Sequence, residues 1–217
     1  MGFAWVQSVP RVQSGPNVVA PITTPTIAGN LLVVFVRFPN TESITSVTDD
    51  VGNTYVIGTP FNGVGTLNIA ICYAVQVVGG ATSITVTFSG ATTNKAVMAD
   101  EFSGNASTNA TAYDTTATGS GTGTSCATAA LTPAAPGELI VGLVLRAATT
   151  ATFAAGSGYT LGAGPGGGST SQNICAQYRL SGTISETAPM TLGTSVAWGD
   201  LAMAFRPAPT SGFFRFM

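Results

Sequence analysis

One residue type that would carry most side-chain chemistry is missing. Of the 217 residues none is histidine, which removes the imidazole base of a Ser-His-Asp arrangement and the usual zinc ligand together. Carboxylates remain as a route to hydrolysis, and they need to face one bond from two sides. Asp100 and Glu101 are adjacent in a predicted strand, so they point to opposite faces and cannot flank a bond. Asp49 and Asp50 fall in a turn. All four are expected to be turn formers or members of a solvated face, and the chain is expected not to be an enzyme. Asp49, Asp50 and Asn53 also form a candidate calcium turn, since clustered hard oxygens on a glycine-containing loop suit that ion. The spacing is not that of an EF-hand. The corresponding later loop, Ala155-Gly156-Ser157-Gly158, holds no carboxylate. A plain hairpin turn is the expectation, with no metal and no cofactor.

Gly162-Ala163-Gly164-Pro165-Gly166-Gly167-Gly168 is rich in glycine, but a phosphate-cradling loop needs a following helix and usually a lysine. It reads as a flexible loop. Asn105-Ala106-Ser107 and Asn109-Ala110-Thr111 are glycosylation sequons, relevant only to a eukaryotic secretory route. Cys72, Cys126 and Cys175 are odd in number and lack C-x-x-C spacing, so buried thiols are expected rather than a disulfide or zinc framework. Trp5, Trp198, Tyr55 and Tyr159 have the chemistry of sugar-stacking platforms, with Trp198, Tyr55 and Tyr159 as the carbohydrate candidates; core packing is the simpler use of so few aromatics. The tail Phe213, Phe214, Arg215, Phe216 and Met217 follows the Pro207-Ala208-Pro209 break. It is expected to dock in an apolar groove of its own chain or of a neighbour.

The elements that position these residues read as strands. Charged residues make up 7% of the chain, against roughly 25% in ordinary soluble domains. Mean hydropathy is +0.38. Yet apolar runs such as Leu31 to Val36 are far below the ~18 residues of a spanning helix, and barrel girdles are not evident. Polarity comes from Thr, Ser, Asn, Gln and Gly, the composition of an all-β protein. With seven basic residues and a net charge of −2 there is no nucleic-acid footprint, and no membrane partner is expected. The first eight residues lack the basic and apolar regions of a signal peptide, so synthesis in a cytoplasm is expected.

Residues 29–38 and 137–146 share one plan: Gly, a polar residue, a Val/Leu/Ile run, and a closing Arg. Such runs read as strands buried on both faces at the centre of a sheet. The duplication extends further. Thr24-Pro25 matches Thr132-Pro133, Gly52-Asn53-Thr54-Tyr55 matches Gly156-Ser157-Gly158-Tyr159, and Asn68-Ile69 with Tyr73 matches Asn173-Ile174 with Tyr178. Ile84-Thr85-Val86-Thr87 aligns with Pro189-Met190-Thr191-Leu192, and Met98 to Phe102 with Leu201 to Phe205. The predicted fold is therefore all-β, an internally duplicated antiparallel β-sandwich with jelly-roll or Ig-like halves and no transmembrane segment. The halves are expected at residues 1–104 and 105–208, with an apolar tail at 209–217. Residues 44–58 are expected to form a hairpin around the Asp49 turn, and residues 104–123 a flexible or surface connection.

The blocks Gly29 to Val34 (G-N-L-L-V-V), Val47 to Tyr55 (V-T-D-D-V-G-N-T-Y), Thr85 to Ser89 (T-V-T-F-S) and Glu101 to Gly104 (E-F-S-G) resemble those of β-sandwich structural proteins of tailed-phage particles and related bacterial surface proteins. The likeness runs nearly to Pro207 and transfers no catalytic motif. Together with the low charge and the spare tail it implies a virion structural protein, a capsid decoration or cement protein that stabilises the shell through neutral and apolar contacts. Its expected partners are the major capsid protein or other virion subunits, and copies of itself in a homo-oligomer. The alternative is a secreted or cell-surface carbohydrate-binding or adhesive module, including a filament-forming one.

Overall fold

The computed structural model describes residues 2–12, 15–106, 108–147, 152–163, 173–181 and 185–209. The first half holds β1 (Ala4–Val12), β2 (Asn17–Pro21), β3 (Leu31–Pro39), β4 (Ile44–Asp49), β5 (Val56–Ile57), β6 (Phe61–Val64), β7 (Leu67–Ala74), β8 (Ser83–Phe88) and β9 (Ala96–Ser103). After a single helical turn, α1 (Asn109–Ala112), come β10 (Tyr113–Cys126), β11 (Leu139–Arg146), β12 (Phe153–Ala155), β13 (Thr160–Leu161), β14 (Ile174–Leu180) and β15 (Met190–Phe205). No helix among the described residues is long and apolar enough to cross a membrane.

The strands make three antiparallel sheets. One has the order β1-β9-β3-β7-β5, with β6 also on β7; the next has the order β10-β15-β11-β14-β13, with β12 on β15; the third is β2-β8-β4. The second sheet thus repeats the first, rank for rank, and the ladders repeat as well. Phe102 lies between Trp5 and Leu31, as Phe205 lies between Tyr113 and Leu139. The small sheet recurs too, where the far end of β10 and β12 flank Met190–Leu192. There it stays joined to the large sheet, because β10 and β15 run unbroken through both.

The sheets stack in three layers. Val34, Val36 and Phe38 of β3 pack with Ile84, Val86 and Phe88 against the small sheet. Leu31, Val33 and Phe35 pack on Leu139, Val141, Leu143 and Met203 of the second large sheet. A middle-layer strand has two apolar faces, which is why residues 31–38 are buried without alternation. The outer face of β11 is covered by its own half, including Leu131, Phe153, Met190 and Trp198. Full burial of each large apolar side chain contributes about 1.5–3 kcal/mol.

The two large sheets face each other about an approximate twofold axis. Tyr73 meets Phe205 edge-on with ring centres 5.0 Å apart, and Phe102 meets Tyr178 in the same way at 5.1 Å. Each pair joins one half to the other. At the axis Asn105 and Pro207 form an antiparallel bridge.

Two expectations are corrected. Residues 44–58 are not a hairpin, because β4 pairs with β8 while β5 pairs with β7 in the neighbouring sheet; the Asp49 turn carries the chain between layers. Residues 104–123 are largely not a connection, because Tyr113–Cys126 is the long margin strand β10, laddered to β15. Its Thr, Ser and Gly look like a linker in isolation, but a neutral strand at a sheet margin needs few apolar residues.

Candidate functional site

The Asp49 turn is built by its own side chains. Asp49 Oδ1 accepts from the backbone N–H groups of Val51, Gly52 and Asn53 at 2.8–3.2 Å. Its Oδ2 accepts from Asn53 Nδ2 at 2.6 Å and from the Tyr55 hydroxyl at 2.9 Å. Gly52, at φ 84°, supplies the left-handed step the turn requires. Asp50 accepts from the Thr82 hydroxyl and the Thr82 and Ser83 N–H groups, and Asn53 is hydrogen-bonded to the backbone of Val78. The candidate calcium ligands Asp49, Asp50 and Asn53 are thus committed to holding one crossover. No group of three His, Cys, Asp or Glu side chains placed to hold a metal occurs among the described residues.

Asp100 and Glu101 do point to opposite faces, but neither is solvated, since both have 0% exposure. Glu101 accepts from Gln7 Nε2, Asn30 Nδ2 and the Ile27 N–H at 2.6–2.8 Å, and so ties β9 to the chain leading into β3. Asp100 faces the second half, accepting from the Ser8 hydroxyl and from the Ala163 N–H at 3.0 Å. Burial pushes its carboxyl up to about 6, against the lowering effect of those donors and of Trp5. A Cβ on Gly162 would overlap Asp100 Oδ2, so glycine there is what lets the two halves close on this carboxyl. Of the glycine stretch, only Gly162 and Ala163 are among the described residues.

The carbohydrate candidates are not brought together. Tyr55 packs, half-buried, between layers of the first half. Tyr159 lies in the outer core of the second half, its hydroxyl donating to Thr187 O at 2.9 Å. Trp198 is packed with Phe153 and Cys175 and covers Gly121, where a Cβ would overlap its ring. Each ring is taken up by packing, and burial raises both tyrosine hydroxyls well above their ordinary range. Trp5 alone among the four is well exposed. All three thiols are free and buried, and burial pushes each up to about 12. Phe213, Phe214, Arg215, Phe216 and Met217 lie outside the described residues.

Ionic groupings that the sequence conceals appear inside the fold. Lys95, fully buried, pairs with Glu42 at 2.7 Å, donates to the carbonyls of Gly90 and Gly15, and lies 4.7 Å from the centre of the Phe88 ring. Asp114 pairs with Arg206 beside buried Glu138, whose carboxyl is raised by burial and then by the Asp114 charge. Asp200 is fully buried; burial raises its carboxyl well above the carboxylate range, against the lowering effect of the Leu201 N–H. No local spacing marks these residues, because their proximity is created by strand pairing.

A cleft of about 480 Å³ lies between the margins of the two large sheets. Residues Val56–Phe61 and Tyr73 line it from the first half, and Tyr113, Thr116, Thr118, Leu201 and Met203 from the second. Gly63 and Gly199 touch backbone to backbone nearby, where a Cβ on either would overlap the other. No lining side chain is charged. Thr116 already donates to Ala202 O at 2.7 Å, and burial and the neighbouring Tyr113 raise the Tyr73 hydroxyl. The cleft offers aromatic faces and neutral hydroxyls.

No protein-family model matches this chain, and no curated protein does. Among solved structures, it is similar to a protein of Eubacterium rectale that is provisionally described as secreted, at 15% identity and a TM-score of 0.22, over 89% of this chain and 69% of that one. A similarity of that size carries no argument about fold or role.

Proposed function

We propose that this chain is a non-catalytic structural protein of a virus particle, a capsid decoration or cement protein whose neutral surface is covered by neighbouring subunits. The observation that supports this is where the charges are. Arg37, Lys95, Asp100, Glu101, Glu138, Arg146, Glu186 and Asp200 are all buried. Among charged side chains of described exposure, only Asp50 and Arg206 are exposed. A chain already poor in charge thus buries half of its sixteen charged residues, leaving a described surface in which hydroxyls, amides and backbone outnumber charges. Free proteins use exposed charge to resist association; a protein built into a shell has no such need, and neutral surface is cheaply desolvated at an interface. The long margin strand β10 has one strand neighbour, β15, among the described strands, and a sheet margin of that kind accepts a further strand. Mass spectrometry of purified particles from the source of this gene is expected to find the chain in a fixed ratio to the major shell protein. Its absence from particles would overturn the reading.

The cleft favours a second reading, a secreted or cell-surface module that holds a neutral ligand such as a sugar. Binding on a glycan array that Tyr113→Ala abolishes, with the fold intact, is the result that would establish it.

A further inference from the structure

The approximate twofold axis relates two grooves, of which one is covered and the other open. On one side Tyr113, Phe205, Leu31, Val75 and Tyr73 occupy the positions that Trp5, Phe102, Leu139, Leu180 and Tyr178 occupy on the other. This follows from ladder register: Trp5 and Tyr113 face Phe102 and Phe205, Leu31 and Leu139 face the same two rings, and Leu139 faces Leu180. The first groove is covered at its Val75 end by the segment that follows β9, while Tyr113 and Tyr73 also border the cleft described above. Ala106 and Ala112 are buried in the central core there, and Asn109 of α1 accepts from the Val75 N–H at 3.0 Å and reaches Thr54 O.

Among the described residues no segment covers the second groove in this way. It is a recess of about 160 Å³ lined by Phe3, Trp5, Phe102, Leu139, Tyr178 and Leu180. Trp5 and Leu180 are 46% and 49% exposed, among the most exposed large apolar side chains of the molecule.

The segment that would cover it by symmetry is the one that follows β15. At the Asn105–Pro207 bridge, Ala106 N–H donates to Arg206 O at 3.1 Å and Ala208 N–H to Gly104 O at 2.8 Å. The two segments therefore pass each other antiparallel at the axis and leave in opposite directions, the first toward its groove. The second is left beside Gly104, whose Cβ position would overlap Gly2 and touch Phe3 at the rim of the open groove. From Pro209, the spacer Thr210-Ser211-Gly212 leads to Phe213 and Phe214, and four extended residues span up to about 13 Å. A cavity of about 150 Å³ accepts a benzene ring, so the recess has the size of one phenyl group.

We propose that the chain's own Phe213-Phe214 segment covers the Trp5–Leu180 groove and seats one phenyl ring in it, as the counterpart of the α1 segment on the other side. The short tether gives this intramolecular contact a high effective concentration over the same contact from another copy. The test uses the full chain with Leu180→Cys and Phe214→Cys, the native thiols being buried. Mild oxidation is expected to give an intrachain disulfide as the main product, while the control pair Val75→Cys and Phe214→Cys, at the groove that α1 covers, stays reduced. Deleting residues 210–217 is expected to raise acrylamide quenching of Trp5 roughly twofold, as its ring face is uncovered. Interchain disulfides in place of intrachain ones would assign the tail to a second copy and overturn the proposal. No disulfide, together with unchanged Trp5 quenching, would overturn the groove as its site.

Discussion

Asp100 is a carboxyl enclosed between two halves of one molecule, and its titration should be visible in stability. Its value in the folded protein is raised to about 6 from an ordinary 3.8. A raised acid binds its proton more tightly folded than unfolded, so it favours folding below pH ~4 and loses that contribution as pH rises through about 6. The expected size is about 3 kcal/mol at most. Asp100→Asn does not titrate, so urea unfolding at pH 4 and pH 7 should show the gap between wild type and variant shifting toward the variant by up to that amount. A gap that does not move would mean that the carboxyl is ionised at no cost. Lys95 makes a different case. Lys95→Met leaves the Glu42 carboxylate buried without its cation, and unfolding measurements should show a loss of about 3 kcal/mol. Adding Glu42→Gln should recover part of it, since the two sites are coupled.

At the scale of elements, the three-layer arrangement ranks the strands. The middle-layer strand β3 is enclosed on both faces, and Phe35 is fully buried in the core shared by the halves. Phe35→Ala is expected to cost about 3–5 kcal/mol. Val19, on the outer face of β2, is 50% exposed, and Val19→Ala should change stability by no more than about 0.5 kcal/mol. Chemical denaturation of the two variants checks the ranking, and equal losses would contradict the layer order. Much of this was legible from sequence: a continuous apolar run marks a two-faced strand, and the alternation of Ile84, Val86 and Phe88 marks a one-faced one. The hairpin expected at residues 44–58 failed because a tight, Asx-stabilised turn is equally suited to crossing between sheets. The reading of residues 104–123 as a connection failed because a margin strand needs only a partner, and β15 lies far away in sequence.

For the whole molecule, burial of charge sets the expected behaviour toward salt. With few exposed charges, screening has little to act on, so thermal stability and state of association should stay nearly constant from about 0.05 to about 1 M NaCl. A marked salt dependence in sedimentation would show that the few surface charges direct assembly, against the neutral-contact reading. The duplicated, all-β plan was determined by the sequence alone, because side-chain periodicity and repeated blocks are local properties that survive without coordinates. The absence of histidine was equally plain. Tertiary structure alone decided the rest. Asp100 and Ala163, Lys95 and Glu42, Asp114 and Arg206, and both walls of the cleft become neighbours only when sheets pair and stack. The sequence marked 49–53 and the aromatic trio as candidate sites because their residue types can do chemistry. The fold uses them for a turn and for packing, because a hydrogen-bonding group or a ring acquires its role from what is placed against it.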